Sequence, residues 1–143
     1  MLRLLHIGFG ALWVGMMFFT VVFLTPAVME SGPVGGKLMA ALQRRRIMVI
    51  MPIFALITLV SGMMMFNRLA GGQHSALMAT PMGQALAVGA ASSILAFLLG
   101  IIVMRPAMVK AAKLGESVTS LMGKIVAALL LVALGAMAVA RYV

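Results

Sequence analysis

His6 stands near the start of the long apolar run LRLLHIGFGALWVGMMFFTVVFLTP, Leu2 to Pro26, and is one of only two histidines in the chain. Steps of four and then three residues keep to one face of a helix, so His6, Gly10, Trp13 and Met17 form a single stripe. Imidazole is the commonest protein ligand for metals and serves as an axial ligand of haem iron. On this reading Gly10, one turn further on, leaves room for a flat macrocycle against the backbone, and Trp13 flanks it. A plainer reading stands beside it: a histidine close to a helix start can sit at headgroup level bonded to water, while Trp13 simply packs.

These residues must be held by membrane helices. From Leu4 to Leu24 no residue is charged, and about twenty apolar residues at ~1.5 Å each match a hydrocarbon core of ~30 Å. The run continues through bulky Phe18, Phe19, Val22 and Phe23 to Thr25 and Pro26, which is unlike the short apolar core and small-residue cleavage site of a signal peptide. Three further apolar stretches follow. The expected spans are residues 4–26, 47–66, 85–104 and 121–140, forming one transmembrane domain: an all-α, up-and-down four-helix bundle.

Between the first two spans, Gly32-Pro33 and Gly35-Gly36 predict a broken segment that ends at Arg44, Arg45 and Arg46. Pro52 lies inside the second span and should kink it. Ser61-Gly62 in the same span offers a thin place for close helix contact. The stretch from Asn67 to Gln84 reads as a loop because of Gly71-Gly72, Pro81 and Gly83. The third span is rich in small residues, Gly89 to Ser93 and Gly100 among them, a composition that lets helix backbones approach in lipid. Thr25-Pro26-Ala27 and Arg105-Pro106-Ala107 end corresponding spans, which hints at two similar hairpins, with Leu86 then standing opposite His6.

The chain of 143 residues is 64% hydrophobic and 9% charged, too apolar for a soluble globular domain. Its net charge of +9 is explained by topology rather than by nucleic acid, since Lys and Arg collect in cytoplasmic loops. The first and third loops and their flanks hold Lys37, Arg44, Arg45, Arg46, Arg105, Lys110, Lys113 and Lys124; the other face holds Arg3, Arg68 and Arg141. That asymmetry places both termini on the non-cytoplasmic side, in what is expected to be a bacterial inner membrane. Anionic lipid headgroups are a secondary partner for the same cations.

His6 and His74 then fall on one face, so a metal or haem held by His6 could take a second ligand from His74, from a methionine, or from His6 of a second protomer. Arg3, Arg68 and Arg141 could pair with haem propionates, although interfacial anchoring is the simpler role for each. Met63, Met64, Met65, Met78 and Met82, among 16 methionines, are expected toward the same face around His74. Thioethers with imidazole suit Cu(I), while methionine is also a flexible packing residue.

Other chemistries lack their residues. Cysteine is absent, which excludes disulfides, thiolate sites and iron–sulfur clusters. The two carboxylates, Glu30 and Glu116, lie in loops, so no span carries an acidic proton relay, and the serines have no acid partner for a hydrolytic triad.

The run LHIGFGALWVGMMFF resembles the first helix of the copper-resistance D family and its relatives, which include HemJ-type protoporphyrinogen oxidases. Leu5, His6, Trp13 and Gly15 match a leucine–histidine pair followed about seven residues later by tryptophan and glycine. The resemblance is specific over about fifteen residues and implies that His6 is a ligand of haem b. The third span has no lysine to match the one that HemJ-type proteins use in a later span.

Joined to the His6 stripe, the resemblance leads to an expected b-type haem-binding membrane protein, a membrane oxidoreductase or electron-transfer subunit. Two alternatives stay open: a non-catalytic subunit of a larger membrane complex or homo-oligomer, and a copper-transport or copper-tolerance protein.

Overall fold

A computed structural model of the chain describes residues 1–104 and 116–143. Among these residues every regular element is helical, and four helices are long and apolar enough to cross a membrane. The third connection, with Arg105, Lys110 and Lys113, lies outside the described residues.

Helix α1 (Leu2–Phe19) passes through a wide π turn at Thr20–Leu24 into α2 (Thr25–Glu30), giving one rod of 29 residues. The helix thus runs on to Glu30, four residues past the expected end of the span at residue 26. Pro26 has no N–H to offer the carbonyl four residues back, and its ring would press on that carbonyl. The wide turn relieves this: the N–H of Thr25 reaches the carbonyl of Thr20, and Thr25 Oγ1 donates to the same oxygen at 2.8 Å.

The third span repeats the device. Helix α6 (Pro81–Leu99) runs into a second π turn at Gly100–Met104. Each π turn begins six residues before a proline, Pro26 in one case and Pro106 in the other. The likeness between the two span ends in sequence is thus matched in backbone geometry.

Helix α3 (Pro33–Arg44) runs straight through Gly35-Gly36, where a break was expected. The turn is made earlier, by Gly32 at φ +54°. Gly35 instead backs onto the main-chain carbonyl of Val28, leaving no room for a Cβ. Arg46, left-handed at φ 58° and ψ 26°, then reverses the chain into α4 (Ile47–Ala70), which continues through Pro52.

Gly71, also left-handed, caps α4, and a single short helix, α5 (His74–Met78), follows. Thr80 accepts a hydrogen bond from the Gly83 N–H at 3.0 Å, and Pro81 occupies the first turn of α6. The helix of the third span therefore starts at Pro81, four residues before the expected start of the span at 85. Pro81 opens a helix here instead of interrupting one, because a first-turn residue has no intrahelical use for its N–H.

Helices α1 and α4 pack as one antiparallel hairpin, and α6 packs with α7 (Glu116–Val139) as a second. Phe9 meets Phe54 with ring centroids 5.3 Å apart in the first. In the second, a Cβ on Gly89 would lie 3.3 Å from the Ala133 carbonyl oxygen, so the two backbones nearly touch. The hairpins join at Trp13, Met17, Ala55, Ala96, Val126 and Leu130, where Trp13 sets its ring edge-on to Phe97 at 6.5 Å. Large apolar side chains such as Phe19, Leu56, Leu95 and Val132 cover the outside, as a lipid-facing surface requires.

Candidate functional site

His6 stands on the face of α1 that packs on α4. Its ring lies against Gly62, where an added Cβ would come within 2.8 Å of Cε1. A side chain at this position would force the imidazole to shift. Nδ1 is 2.9 Å from the main-chain carbonyl of Thr58. A carbonyl can only accept, so Nδ1 carries a proton and donates, which in the Nδ1–H tautomer leaves the Nε2 lone pair for a ligand. This is the arrangement in which a second hydrogen bond orients a ligating histidine.

Polar groups around the pair are satisfied locally. Thr58 Oγ1 donates to the Phe54 carbonyl at 2.8 Å and Ser61 Oγ to that of Ile57 at 2.6 Å. Among the described residues no buried side-chain nitrogen or oxygen is left without a partner.

His6 lines a cavity of about 970 Å³. The two hairpins are joined at the level of Trp13, and toward the His6 end a gap opens between them, walled by α1, α4, α6 and Met137 of α7. Among the described residues its lining is apolar apart from His6, Thr58, Ser93 and two arginines, Arg3 and Arg68. Met63 and Met65 of α4 and Met78 of α5 also line it. The volume is at the upper end of ordinary ligand pockets, ~300–1,000 Å³, and the character is the usual one of an apolar chamber with few polar groups.

The expected stripe divides. Gly10 leaves its space to Thr58, whose methyl would stand 3.3 Å from an added Cβ, so the room foreseen for a macrocycle is not beside Gly10. Trp13 and Met17 are both 6% exposed and belong to the joint between the hairpins. They face a separate cleft on the far side.

His74 is exposed, with Nε2 3.2 Å from Asn67 Oδ1 and its ring 6.1 Å from that of Phe66. It is not among the residues lining the His6 cavity. The cavity thus brings together His6, Arg3, Arg68 and part of the methionine set. Among the described residues no three His, Cys, Asp or Glu side chains gather as a metal site.

Thr58, Gly62, Leu86, Ser93 and Met137 are the site residues that sequence reasoning did not single out for this role. Ser61-Gly62 was the available signal, a thin place in an apolar span. That His6 fills it follows only from the register of α1 on α4.

Comparison with known protein families, with characterised proteins and with solved structures gives no match. Function must therefore be argued from the site.

Proposed function

We propose that this chain is an integral membrane protein that holds a b-type haem between its two hairpins and serves electron transfer or a membrane redox reaction. The observation that carries the reading is the His6 ring, fixed by Nδ1–H donation to Thr58 and lining a cavity of about 970 Å³. Nε2 would be the axial ligand. The apolar walls suit the faces of a macrocycle, and Arg3 and Arg68 would pair with its propionates, lowering the cost of carboxylates near lipid.

When bound, haem supplies a one-electron couple. The protein's own part is to orient the imidazole, exclude water and set the surrounding charge. By the distribution of Lys and Arg, both termini and the His6 cavity face the non-cytoplasmic side of a bacterial inner membrane.

A second reading rests on Met63, Met65 and Met78, which line the cavity with His6. This soft donor set suits Cu(I); the copper reading expects His74 beside these methionines, whereas the imidazole that lines the cavity with them is that of His6.

The test is a reduced-minus-oxidised visible spectrum of the purified protein with a pyridine haemochrome assay, for the wild type and His6→Ala. A b-type spectrum lost in the variant is the expected result. A colourless wild-type protein, folded and expressed with ample haem, would overturn the haem reading. Cu(I) titration would then separate the copper site from a non-catalytic subunit.

A further inference from the structure

At the end of the bundle away from His6, an apolar cleft of about 120 Å³ runs beneath α3 to Trp13. Met39 and Leu42 of α3, Ile47 and Met48 of α4 and Phe97 of α6 contribute to its walls. Thr20 also faces it, but its hydroxyl already donates to the Met16 carbonyl at 2.7 Å. Among the described residues Gln43 is the other polar side chain besides the Trp13 indole, and it lies in the last turn of α3, where the chain reaches the surface. The cleft is therefore apolar within and polar at the α3–α4 turn.

That turn is Arg44-Arg45-Arg46, and all three side chains are exposed. The left-handed backbone of Arg46 brings the end of α3 and the start of α4 together, so Gln43 and Ile47 line the same cleft on either side of the arginines. With two carboxylates against eleven lysines and arginines, the chain cannot neutralise this cluster from within. Helix α3 adds to the pattern. Gly35, Met39 and Leu42 share one side and are the more buried positions, whereas Lys37 and Arg44 occupy the opposite side and are exposed.

We propose that the arginine turn and the cleft beneath α3 form a binding site for one anionic phospholipid, its phosphate held by Arg44, Arg45 and Arg46 and one acyl chain entering the cleft. Guanidinium forks match phosphate oxygens in geometry as well as charge. An apolar slot beside them takes a chain and not a second headgroup. The site lies on the other side of the Trp13 joint from the His6 cavity and does not rest on the haem reading.

Trp13 is the chain's one tryptophan. At 6% exposure it is shielded from lipid around the bundle, but it lines the cleft. The purified protein in neutral detergent is titrated with phosphatidylglycerol, phosphatidylcholine or free fatty acid, each brominated on its acyl chain, and Trp13 emission is followed. The order of the titrations is the readout, so a haem elsewhere that dims the absolute signal leaves it intact.

Brominated phosphatidylglycerol should quench saturably at a mole fraction about tenfold below that of phosphatidylcholine. The R44Q/R45Q/R46Q variant should bring the two together, and R141Q should leave them apart. Equal quenching by both phospholipids in the wild type would overturn the proposal, an outcome that needs no variant to fold. Stronger quenching by the fatty acid than by phosphatidylglycerol, or an undiminished preference in the triple-arginine variant, would overturn it too.

Discussion

The Nδ1 of His6 donates to the main-chain carbonyl of Thr58 at 2.9 Å, across a gap of 52 residues in sequence. A side chain near the start of the first helix is thereby registered against the middle of the second. One bond fixes both the tautomer of the imidazole and the pairing of α1 with α4. Such interhelical bonds are individually modest in lipid, about 0.6–2 kcal/mol, so the geometry also depends on Gly62.

Gly62→Ala tests that dependence. Its methyl would lie 2.8 Å from His6 Cε1, so the ring must swing and its bond to Thr58 must lengthen or break. The expected outcome is a loss of about 1–3 kcal/mol from overpacking and a weakened or altered haem spectrum. In the His6→Ala background the same change should cost much less. Thermal unfolding in detergent of the two single variants and the double variant measures the coupling.

Arg3→Gln with Arg68→Gln removes the two cations lining the cavity. Oxidised haem carries one more positive charge than reduced haem, so losing nearby cations favours the oxidised form. The midpoint potential should fall by tens of millivolts, and haem should be lost more readily. A redox titration with the pyridine haemochrome assay would show this, and an unchanged potential would count against propionate pairing.

Trp13→Ala opens the joint between the hairpins, where Trp13 packs with Ala55, Ala96, Val126 and Leu130. A loss of about 3–5 kcal/mol is expected for such a deletion. Trp13→Phe should cost less, because an aromatic edge contact with Phe97 can persist. Since Trp13 lies outside the His6 cavity, the phenylalanine variant should keep the wild-type haem spectrum.

Gly35→Ala places a methyl against the carbonyl of Val28, which is main chain and cannot rotate away. The α2–α3 turn should loosen, seen as faster hydrogen exchange from residue 31 to residue 44. Exchange in α4 and α6 should stay unchanged.

The four helices long and apolar enough to cross a membrane were legible in the sequence, because apolar length and the scarcity of charge are local properties that lipid reads directly. The sequence also marked His6, Gly10, Trp13, Met17, His74, Arg3 and Arg68 as candidates, of which His6, Arg3 and Arg68 line one cavity, and Ser61-Gly62 as a thin place. Helix ends were less legible. Pro26 did not stop its helix, since a π turn absorbed it, and Pro81 began one.

How the candidate residues are shared out follows from packing between helices. Helical spacing put His6, Gly10, Trp13 and Met17 on one stripe, but it could not say what each meets on the neighbouring helices. Packing assigned His6 to an open cavity, Gly10 to the methyl of Thr58, and Trp13 and Met17 to the joint between hairpins. The register of one helix on another arises from contacts between residues far apart in the chain, and no local pattern encodes it.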